Sequence, residues 1–238
     1  MSYLDIVYPN IGLETGDYTH QLVDYLVNNW LSESSLDSSG NPTKSLLDVG
    51  AGKGAHAAVF SRYYNVTTID RHDDAKETFE TLHINANVVM AEIDKQPFPL
   101  PENSFDVVFT KSVIEHVENW GHFLREIFRV LKPGGCAIVM TPNWKTQKTN
   151  FYDDPTHLRP YTTRTLDRVL RMTGFTEIRI ADIYQLPFIW RMPFLKFVPW
   201  VLRKLPESLK WRDKHEREHR LLIRFSKETM LLAIAKKQ

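Results

Sequence analysis

Short runs of apolar residues alternate along this chain with segments in which apolar residues recur at helical spacing. Short continuous runs indicate buried strands, and recurrence every three to four residues indicates amphipathic helices. The pattern predicts strands at 45–49, 66–69, 87–90, 105–109, 136–141, 176–183 and 229–235, and helices at 54–63, 73–82, 119–131 and 163–173. Because strands separated by helices require right-handed crossovers, we expect an α/β fold with a mostly parallel sheet and helices on both faces.

The N-terminal segment precedes this alternation. An arm over residues 3–18 contains glycines and aromatic residues, and residues 19–31 place Leu22, Tyr25 and Leu26 on one helical face. We expect this helix to act as a lid over a ligand site. With 238 residues, of which 42% are hydrophobic and 25% charged, the chain can bury one substantial core. We therefore expect residues 1–238 to form a single domain.

The first predicted strand runs directly into glycines at alternate positions. Gly50, Gly52 and Gly54 follow the strand, and Asp70 ends the next one. Glycines let a backbone turn sharply and approach a ligand closely, and a carboxylate at the tip of the second strand can accept both hydroxyls of a ribose. The spacing G-x-G-x-G differs from the G-x-G-x-x-G of dinucleotide sites, which argues against a nicotinamide oxidoreductase. The sequence therefore predicts a nucleoside site, with an ordinary turn and a helix cap as the alternative.

Four segments in order resemble class I S-adenosylmethionine-dependent methyltransferases. They are residues 48–54 (DVGAGKG), 66–70 (VTTID), 91–108 and 131–140, and the resemblance covers about residues 40–183 and the last ten. It implies a Rossmann-like sheet that is mostly parallel with an antiparallel last strand. It also implies an enzyme that uses S-adenosylmethionine as methyl donor and releases S-adenosylhomocysteine.

The resemblance implies a set of cofactor-binding residues. The glycines would lie beneath the amino-acid moiety, Asp48 would face its ammonium group, and Asp70 would bind the ribose. Glu92 would face adenine, with Asp94 as its rival two residues on, although a solvated acidic loop is the alternative reading. The full set is Asp48, Gly50, Ala51, Gly52, Gly54, Asp70, Arg71, Glu92, Ile93, Asp94 and Lys111.

Fewer sequence features indicate which residues bind the methyl acceptor. Methyl transfer is an in-line displacement that needs no covalent nucleophile but can use a base, and histidine titrates near neutrality. We expect His157 or His116 to be that base, or else to cap a helix or bond a carbonyl oxygen. Asn143 and Tyr161 are expected to bind the acceptor.

No metal is expected at the neighbouring aspartates. Asp153, Asp154 and His157 could ligate a divalent ion, but two aspartates before Pro155 favour a turn.

The net charge and the single cysteine limit which partners and which cellular compartment we expect. A net charge of +1 is not typical of a chain that binds nucleic acid, so no nucleic-acid partner is expected. One cysteine, Cys136, excludes an internal disulfide. Neither a signal peptide nor an apolar run of membrane-spanning length is visible. A cytoplasmic location is therefore expected, as a monomer or a homodimer.

Residues 184–228 are predicted to be an apolar and basic insertion before the last strand. Within 184–211, the six phenylalanine and tryptophan residues (Phe188, Trp190, Phe194, Phe197, Trp200, Trp211) are interleaved with basic ones (Arg191, Lys196, Arg203, Lys204, Lys210), and Arg212 follows. Prolines interrupt the segment, so short amphipathic helices are expected. Such helices could cover the acceptor pocket or rest on the inner face of a membrane. The alternative is packing on the domain itself or on a second subunit.

These observations predict methyl transfer to a small-molecule or lipid-linked acceptor, including a lipid-linked sugar. The alternative is a catalytically silent cofactor-binding protein that regulates another methyltransferase.

Overall fold

The computed structural model describes residues 17–31, 35–211 and 220–238. The strands are β1 Ser45–Val49, β2 Asn65–Asp70, β3 Asn87–Met90, β4 Phe105–Lys111, β5 Leu131–Pro142, β6 Thr176–Tyr184 and β7 Thr229–Lys236. The helices are α1 Asp17–Trp30, α2 Ala55–Phe60, α3 Ala75–Thr81, α4 Trp120–Val130, α5 Trp144–Gln147, α6 Thr163–Met172, α7 Pro187–Arg191, α8 Phe197–Leu202 and α9 Leu221–Lys227. Short 3-10 helices occupy Ile114–His116, Phe151–Asp153, Pro193–Lys196 and Glu207–Lys210.

The seven strands form one sheet in the order β3-β2-β1-β4-β5-β7-β6. The pairs among β1 to β5 are parallel, and β7 runs antiparallel to both β5 and β6. The predicted fold class, a mostly parallel sheet with an antiparallel last strand and helices around it, is confirmed. The strands are added outward from β1 in one direction to β3 and from β4 in the other. The loops after β1 and β4 therefore diverge and open a crevice at the carboxyl ends of these two strands.

The core has two parts, one on each face of the sheet. Alternate residues of β1 point to opposite faces, so that Leu47 and Val49 join one buried cluster while Leu46 joins the other. Both faces of the central strands are covered, which explains why those strands appear in the sequence as continuous apolar runs.

Most predicted elements are confirmed, with shifted ends. Helix α2 is shorter than the predicted 54–63 and starts after Gly54, which caps it in the left-handed conformation (φ 75°). Strand β5 begins at Leu131 because Leu131 already pairs with Phe105, after which the register shifts before Cys136 pairs with Val107.

Helix α1 precedes the α/β domain in the sequence and packs against it in the structure. Leu22, Val23 and Leu26 are fully buried in the cluster that contains α2. At its other contact, the Tyr25 ring stacks on Trp190 of α7 with the centroids 5.1 Å apart. The helix is thus anchored through its apolar face, and its action as a lid stays a prediction. The predicted arm at residues 3–16 lies outside the described residues.

The insertion forms short helices, as the prolines predicted. Pro187 and Pro193 each begin one of them, where a proline costs the helix no hydrogen bond. Among the residues that the structure covers, no helix has the length and apolar character needed to cross a bilayer.

One basic residue of the insertion is buried. Lys210 is not a surface cation but is 4% exposed, and its ammonium group lies 3.0 Å from the Glu228 carboxylate and 2.8 Å from Glu207. Arg224 holds the other Glu228 oxygen at 2.8 Å. These ion pairs fasten the insertion to the start of β7. Arg212 lies outside the described residues.

Candidate active site

Two constraints require glycine in the loop after β1: positive φ angles and the lack of space for a Cβ atom. Gly50, Gly52 and Gly54 have φ of 76°, 54° and 75°, a region that residues with a Cβ rarely adopt. A Cβ at Gly50 would lie 2.3 Å from Cγ2 of Val113, and one at Gly54 would lie 2.9 Å from Cβ of Ala75. Ala51 lies partly buried between them. The main chain of the loop therefore carries no side chain at these glycine positions, and it lies close to Val113, which follows β4, and to Ala75, which begins α3.

Asp70 is tied to this loop. Its Oδ2 accepts a hydrogen bond from the main-chain amide of Gly52 at 2.8 Å, and its Oδ1 accepts one from the amide of Arg71 at 2.6 Å. The carboxylate is half-buried. Its predicted place at the tip of β2 beside the glycine loop is thus what the structure shows.

Asp48, at the end of β1, lies in the same crevice and is 3% exposed. Burial, followed by repulsion from the Asp70 carboxylate, raises the pKa of Asp48 to about 8, while Lys111 and the Ala57 amide act in the opposite direction. A positively charged group bound between the two acids would lower the pKa of Asp48, so the pair favours a ligand that carries positive charge.

Lys111, the last residue of β4, connects the two halves of the crevice. Burial lowers its pKa, and the charges of Glu115 and Asp48 raise it. Asp48 pairs with Phe109, two residues before Lys111 on β4, and the 3-10 helix with Glu115 follows Lys111, so all three lie at the same edge of the sheet.

The predicted adenine side contains an ion pair. Nε of Arg71 lies 3.1 Å from Oε1 of Glu92, and both side chains are partly exposed. Ile93 packs against the buried cluster. Oδ1 of Asp94 is buried and has no hydrogen-bond partner among the described residues. Of the two rival carboxylates, Asp94 thus has the acceptor atom left over, whereas Glu92 is engaged by Arg71.

The loop after β5 is pinned beside the 3-10 helix that follows β4. The main-chain carbonyl oxygen of Glu115 accepts hydrogen bonds from the amides of Leu158 at 2.8 Å and Arg159 at 3.1 Å. These bonds bring His157 next to His116, and the two rings lie 4.7 Å apart. The two predicted catalytic histidines are therefore brought together, although their role stays a prediction.

Glu115 is the polar centre of this group, and the sequence analysis did not single it out as a site residue. It is fully buried, its Oε2 accepts a hydrogen bond from the Thr141 hydroxyl at 2.9 Å, and burial raises its pKa to about 7. A glutamate between an isoleucine and a histidine gave no signal, because only the fold turns it inward. We call Glu115, His116 and His157 the acceptor-side cluster.

Asn143 and Tyr161 have structural positions. The Asn143 side chain caps α5 by accepting from the Lys145 amide at 3.0 Å. The Tyr161 ring is 1% exposed in the core, and its main-chain oxygen accepts from the Trp144 amide. The two residues pair with each other through an isolated β-bridge, and their contact with the acceptor stays a prediction.

His56 is a second residue that the sequence analysis missed. Its Nε2 is buried without a hydrogen-bond partner among the described residues, and burial lowers its pKa to about 3. It stands near the start of α2, directly behind the glycine loop, with its ring 5.5 Å from that of Phe109. A neutral imidazole there adds no positive charge to the crevice.

The residues present fit S-adenosylmethionine. The bare main chain at Gly50 would admit the amino-acid moiety, the half-buried Asp70 carboxylate suits a ribose diol, and Asp48 adds a second acid for a ligand with two cationic groups. The unpartnered Asp94 oxygen suits an exocyclic amine.

Comparisons with known proteins agree with this site. Residues 47–139 match the model of the methyltransferase domain family. A probable S-adenosylmethionine-dependent methyltransferase of Mycolicibacterium smegmatis is 31% identical over 137 residues, which are 56% of this chain and 52% of that protein. The ubiquinone/menaquinone biosynthesis C-methyltransferase UbiE of Pasteurella multocida is 29% identical over 133 residues, 52% of this chain and 50% of its own. This chain thus spans about half the length of these relatives.

A solved structure extends the likeness of fold beyond the matched region. The S-adenosylmethionine-dependent methyltransferase of Archaeoglobus fulgidus aligns with a TM-score of 0.60 and 20% identity, over 92% of this chain and 94% of its own. Strand order, glycine loop and sequence matches agree: residues 47–139 match the methyltransferase domain family, the chain has the fold of S-adenosylmethionine-dependent methyltransferases, and the site fits S-adenosylmethionine as cofactor.

Proposed function

We propose that this protein transfers a methyl group from S-adenosylmethionine to an amphipathic small-molecule acceptor that meets the acceptor-side cluster. The observation that carries the proposal is the position of Lys111 at the end of β4: Asp48 of the donor side pairs with Phe109, two residues before it, and the 3-10 helix that contains Glu115 begins three residues after it. The two groups thus share one crevice. The relative from Pasteurella multocida, named as a C-methyltransferase of ubiquinone and menaquinone biosynthesis, supports a small-molecule acceptor.

The chain's task in this reaction is alignment. When bound, S-adenosylmethionine supplies a methyl group on a positively charged sulfur; the S–CH₃ bond breaks with its electron pair left on sulfur as the bond from the acceptor atom to carbon forms. The glycine loop and Asp70 would fix the donor, and the buried walls around Glu115 would exclude water from the line of attack. The acceptor's proton leaves on the side of the acceptor-side cluster.

The acceptor class is inferred from an exposed surface on the insertion. Phe194, Phe197 and Trp200 are 72%, 59% and 61% exposed, which is unusual for such large apolar side chains. We call these three residues, with Met192 and Val201, the 192–201 surface.

Cations surround this surface. Arg191, Lys196 and Lys204 are exposed, and the Lys204 ammonium lies 3.7 Å from the centre of the Trp200 ring. No acidic residue occurs between 185 and 206. Exposed aromatic residues with cations at their edge suit the interface of an anionic bilayer. We therefore propose that the 192–201 surface rests on an anionic membrane and that the acceptor is a lipid or a lipid-linked molecule, including a lipid-linked sugar.

Methyl transfer is tested with labelled donor. The purified chain is incubated with tritiated S-adenosylmethionine and a cell extract of the source organism, and lipid and aqueous fractions are counted and the labelled product is identified by mass. Label in a lipid-soluble small molecule is expected, with strongly reduced labelling by Asp70→Asn when the donor is below saturation and unchanged labelling by Asp73→Asn. A chain that binds S-adenosylhomocysteine but labels no small molecule would be a silent cofactor-binding protein, and the proposal would fail.

Membrane contact is tested by flotation with vesicles of phosphatidylcholine, with and without phosphatidylglycerol. We expect flotation only with the anionic vesicles, and its loss in a Phe194→Ser/Trp200→Ser variant. Met172→Ser, at a residue that is 73% exposed on α6, is the matched control and should float normally. No flotation of the parent chain, or a stable dimer that the double variant dissociates, would refute the membrane proposal.

A further inference from the structure

We propose that the acceptor-side cluster is a binding site for a divalent transition-metal cation. One ligand atom from each of Glu115, His116 and His157 can be chosen such that all lie within 4.8 Å of one another. Around a cation with bonds of about 2.1 Å, neighbouring ligand atoms lie roughly 3 Å apart, so binding would draw these atoms together by up to about 2 Å. The expectation that no metal binds had considered Asp153, Asp154 and His157, whereas the fold groups His157 with Glu115 and His116.

His157 has the orientation of a metal ligand. Its Nδ1 lies 2.6 Å from the main-chain oxygen of Phe151, so Nδ1 carries the proton and donates it to that oxygen. A hydrogen bond of this kind fixes both the tautomer and the ring orientation of ligating histidines. The remaining ring nitrogen, Nε2, is the one that can bind a cation, and Oδ2 of Asp154 lies 3.9 Å from it.

Glu115 supplies a buried acceptor atom. Oε2 is held by the Thr141 hydroxyl, whereas Oε1 is buried and has no hydrogen-bond partner in the described part of the chain. An unpaired carboxylate oxygen in a fully buried residue is costly, and a cation would remove that cost. This orphaned oxygen is the second, independent sign of a ligand.

The segment that carries His157 is fixed in place without the cation. The Glu115 carbonyl binds the amides of Leu158 and Arg159, and Nδ1 of His116 lies 2.8 Å from the Thr156 hydroxyl. The histidines are thus held on two loops that are already joined. Such preorganisation keeps the ligand atoms near each other before binding.

The ligand types select the metal. Two imidazoles and one carboxylate suit manganese, iron, cobalt or zinc, whereas magnesium prefers oxygen ligands and several waters. Three protein ligands leave positions open. Resting on the proposed function, we infer that an acceptor oxygen takes an open position, so that the cation holds the acceptor near the donor and lowers the pKa of its hydroxyl. The two histidines would then hold the cation instead of removing the proton themselves.

The test uses Mn²⁺ and the metal-stripped full chain, without donor or acceptor. The electron paramagnetic resonance signal of free Mn²⁺ is titrated with protein, and we expect one bound ion per chain. Pulsed measurements on the bound ion should show couplings to two imidazole nitrogens. Because this second readout uses the unaltered chain, it remains decisive even if a variant fails to fold.

Variants assign the ligands. Glu115→Gln and His157→Ala should each weaken Mn²⁺ binding at least tenfold while S-adenosylhomocysteine still binds. His83→Asn, at an exposed histidine beyond α3, is the matched control and should bind Mn²⁺ as the parent does. Absence of bound Mn²⁺ and Zn²⁺ in the parent chain, or bound Mn²⁺ without imidazole coupling, overturns the metal site.

Activity separates this proposal from the proposed function. Methyl transfer that survives exhaustive chelation, in a chain that binds no metal, refutes the metal site and leaves the function standing. Mn²⁺ bound with two imidazole couplings in a chain that methylates nothing refutes the function and leaves the metal site standing.

Discussion

The imidazole rings of His116 and His157 lie with their centroids 4.7 Å apart, although one follows β4 and the other follows β5. The contact exists because the carbonyl oxygen of Glu115 binds the main chain just beyond His157. A cluster on the acceptor side is therefore built into the fold, one strand away from the donor loop.

Asp70 should control donor binding. Asp70→Asn keeps the size of the side chain but removes its charge, and charge-assisted hydrogen bonds contribute about 1.5–3 kcal/mol each. We expect the affinity for S-adenosylhomocysteine, measured by calorimetry, to fall roughly 10- to 100-fold. Asp73→Asn is the matched control, since the Asp73 side chain is 48% exposed and its carboxylate pairs with Lys76 at 2.8 Å. An unchanged affinity in Asp70→Asn would contradict the ribose assignment.

Alanine substitutions at Gly50 and Gly134 distinguish the cost of backbone strain from the cost of a steric clash. Both have positive φ, of 76° and 81°, but a Cβ at Gly50 would meet Val113 at 2.3 Å while one at Gly134 would meet nothing within 4 Å. Gly134→Ala should reduce the free energy of unfolding by about 1 kcal/mol. Gly50→Ala should cost roughly 1–3 kcal/mol more and abolish donor binding.

Urea unfolding measures both variants, and Gly50→Ala/Val113→Ala should recover part of the loss. Equal effects of the two glycine substitutions would show that the Val113 contact is unimportant.

Removing one partner of the buried ion pair in the insertion should strongly reduce the free energy of unfolding. Lys210→Met leaves the Glu228 carboxylate, 2% exposed, with one cation fewer, and such losses cost about 3–5 kcal/mol. Lys236→Met breaks the exposed pair with Glu177 at 2.8 Å and should cost less than about 1 kcal/mol. Chemical denaturation compares the two. A Lys210→Met variant as stable as Lys236→Met would refute this account of the insertion.

Asp48 should make the unliganded protein less stable as pH rises. Its pKa in the folded chain is about 8, above the ordinary 3.8, so the folded state holds an extra proton between these values. Its contribution to stability is therefore fully present below about pH 4 and is lost as pH approaches 8. The charged groups that act on it are Asp70, which raises this pKa, and Lys111, which lowers it.

The corresponding variant is Asp48→Asn. Its unfolding midpoint in urea, relative to the parent, should rise steadily from pH 5 to pH 8. Asp182→Asn, at an exposed position on β6, should differ from the parent by the same amount at every pH. A constant difference for Asp48→Asn would show that Asp48 is not buried as a protonated acid.

The sequence by itself determined the sheet, the glycine loop and the place of Asp70. These features are local: apolar runs define buried strands, and the positive φ of Gly50 and Gly54 demands glycine at those positions. The order of the motifs then placed the loop beside the tip of β2, where the Gly52 amide does bind Asp70.

Only the tertiary structure decided which polar side chains meet. Glu115 turns inward because Thr141 and the loop around Leu158 lie over it, and Lys210 is buried because Glu228 lies opposite. Each contact joins residues distant in the chain, and no local pattern records such pairing. The burial of a charge depends on its partner, so its role becomes visible only when the fold brings that partner to it.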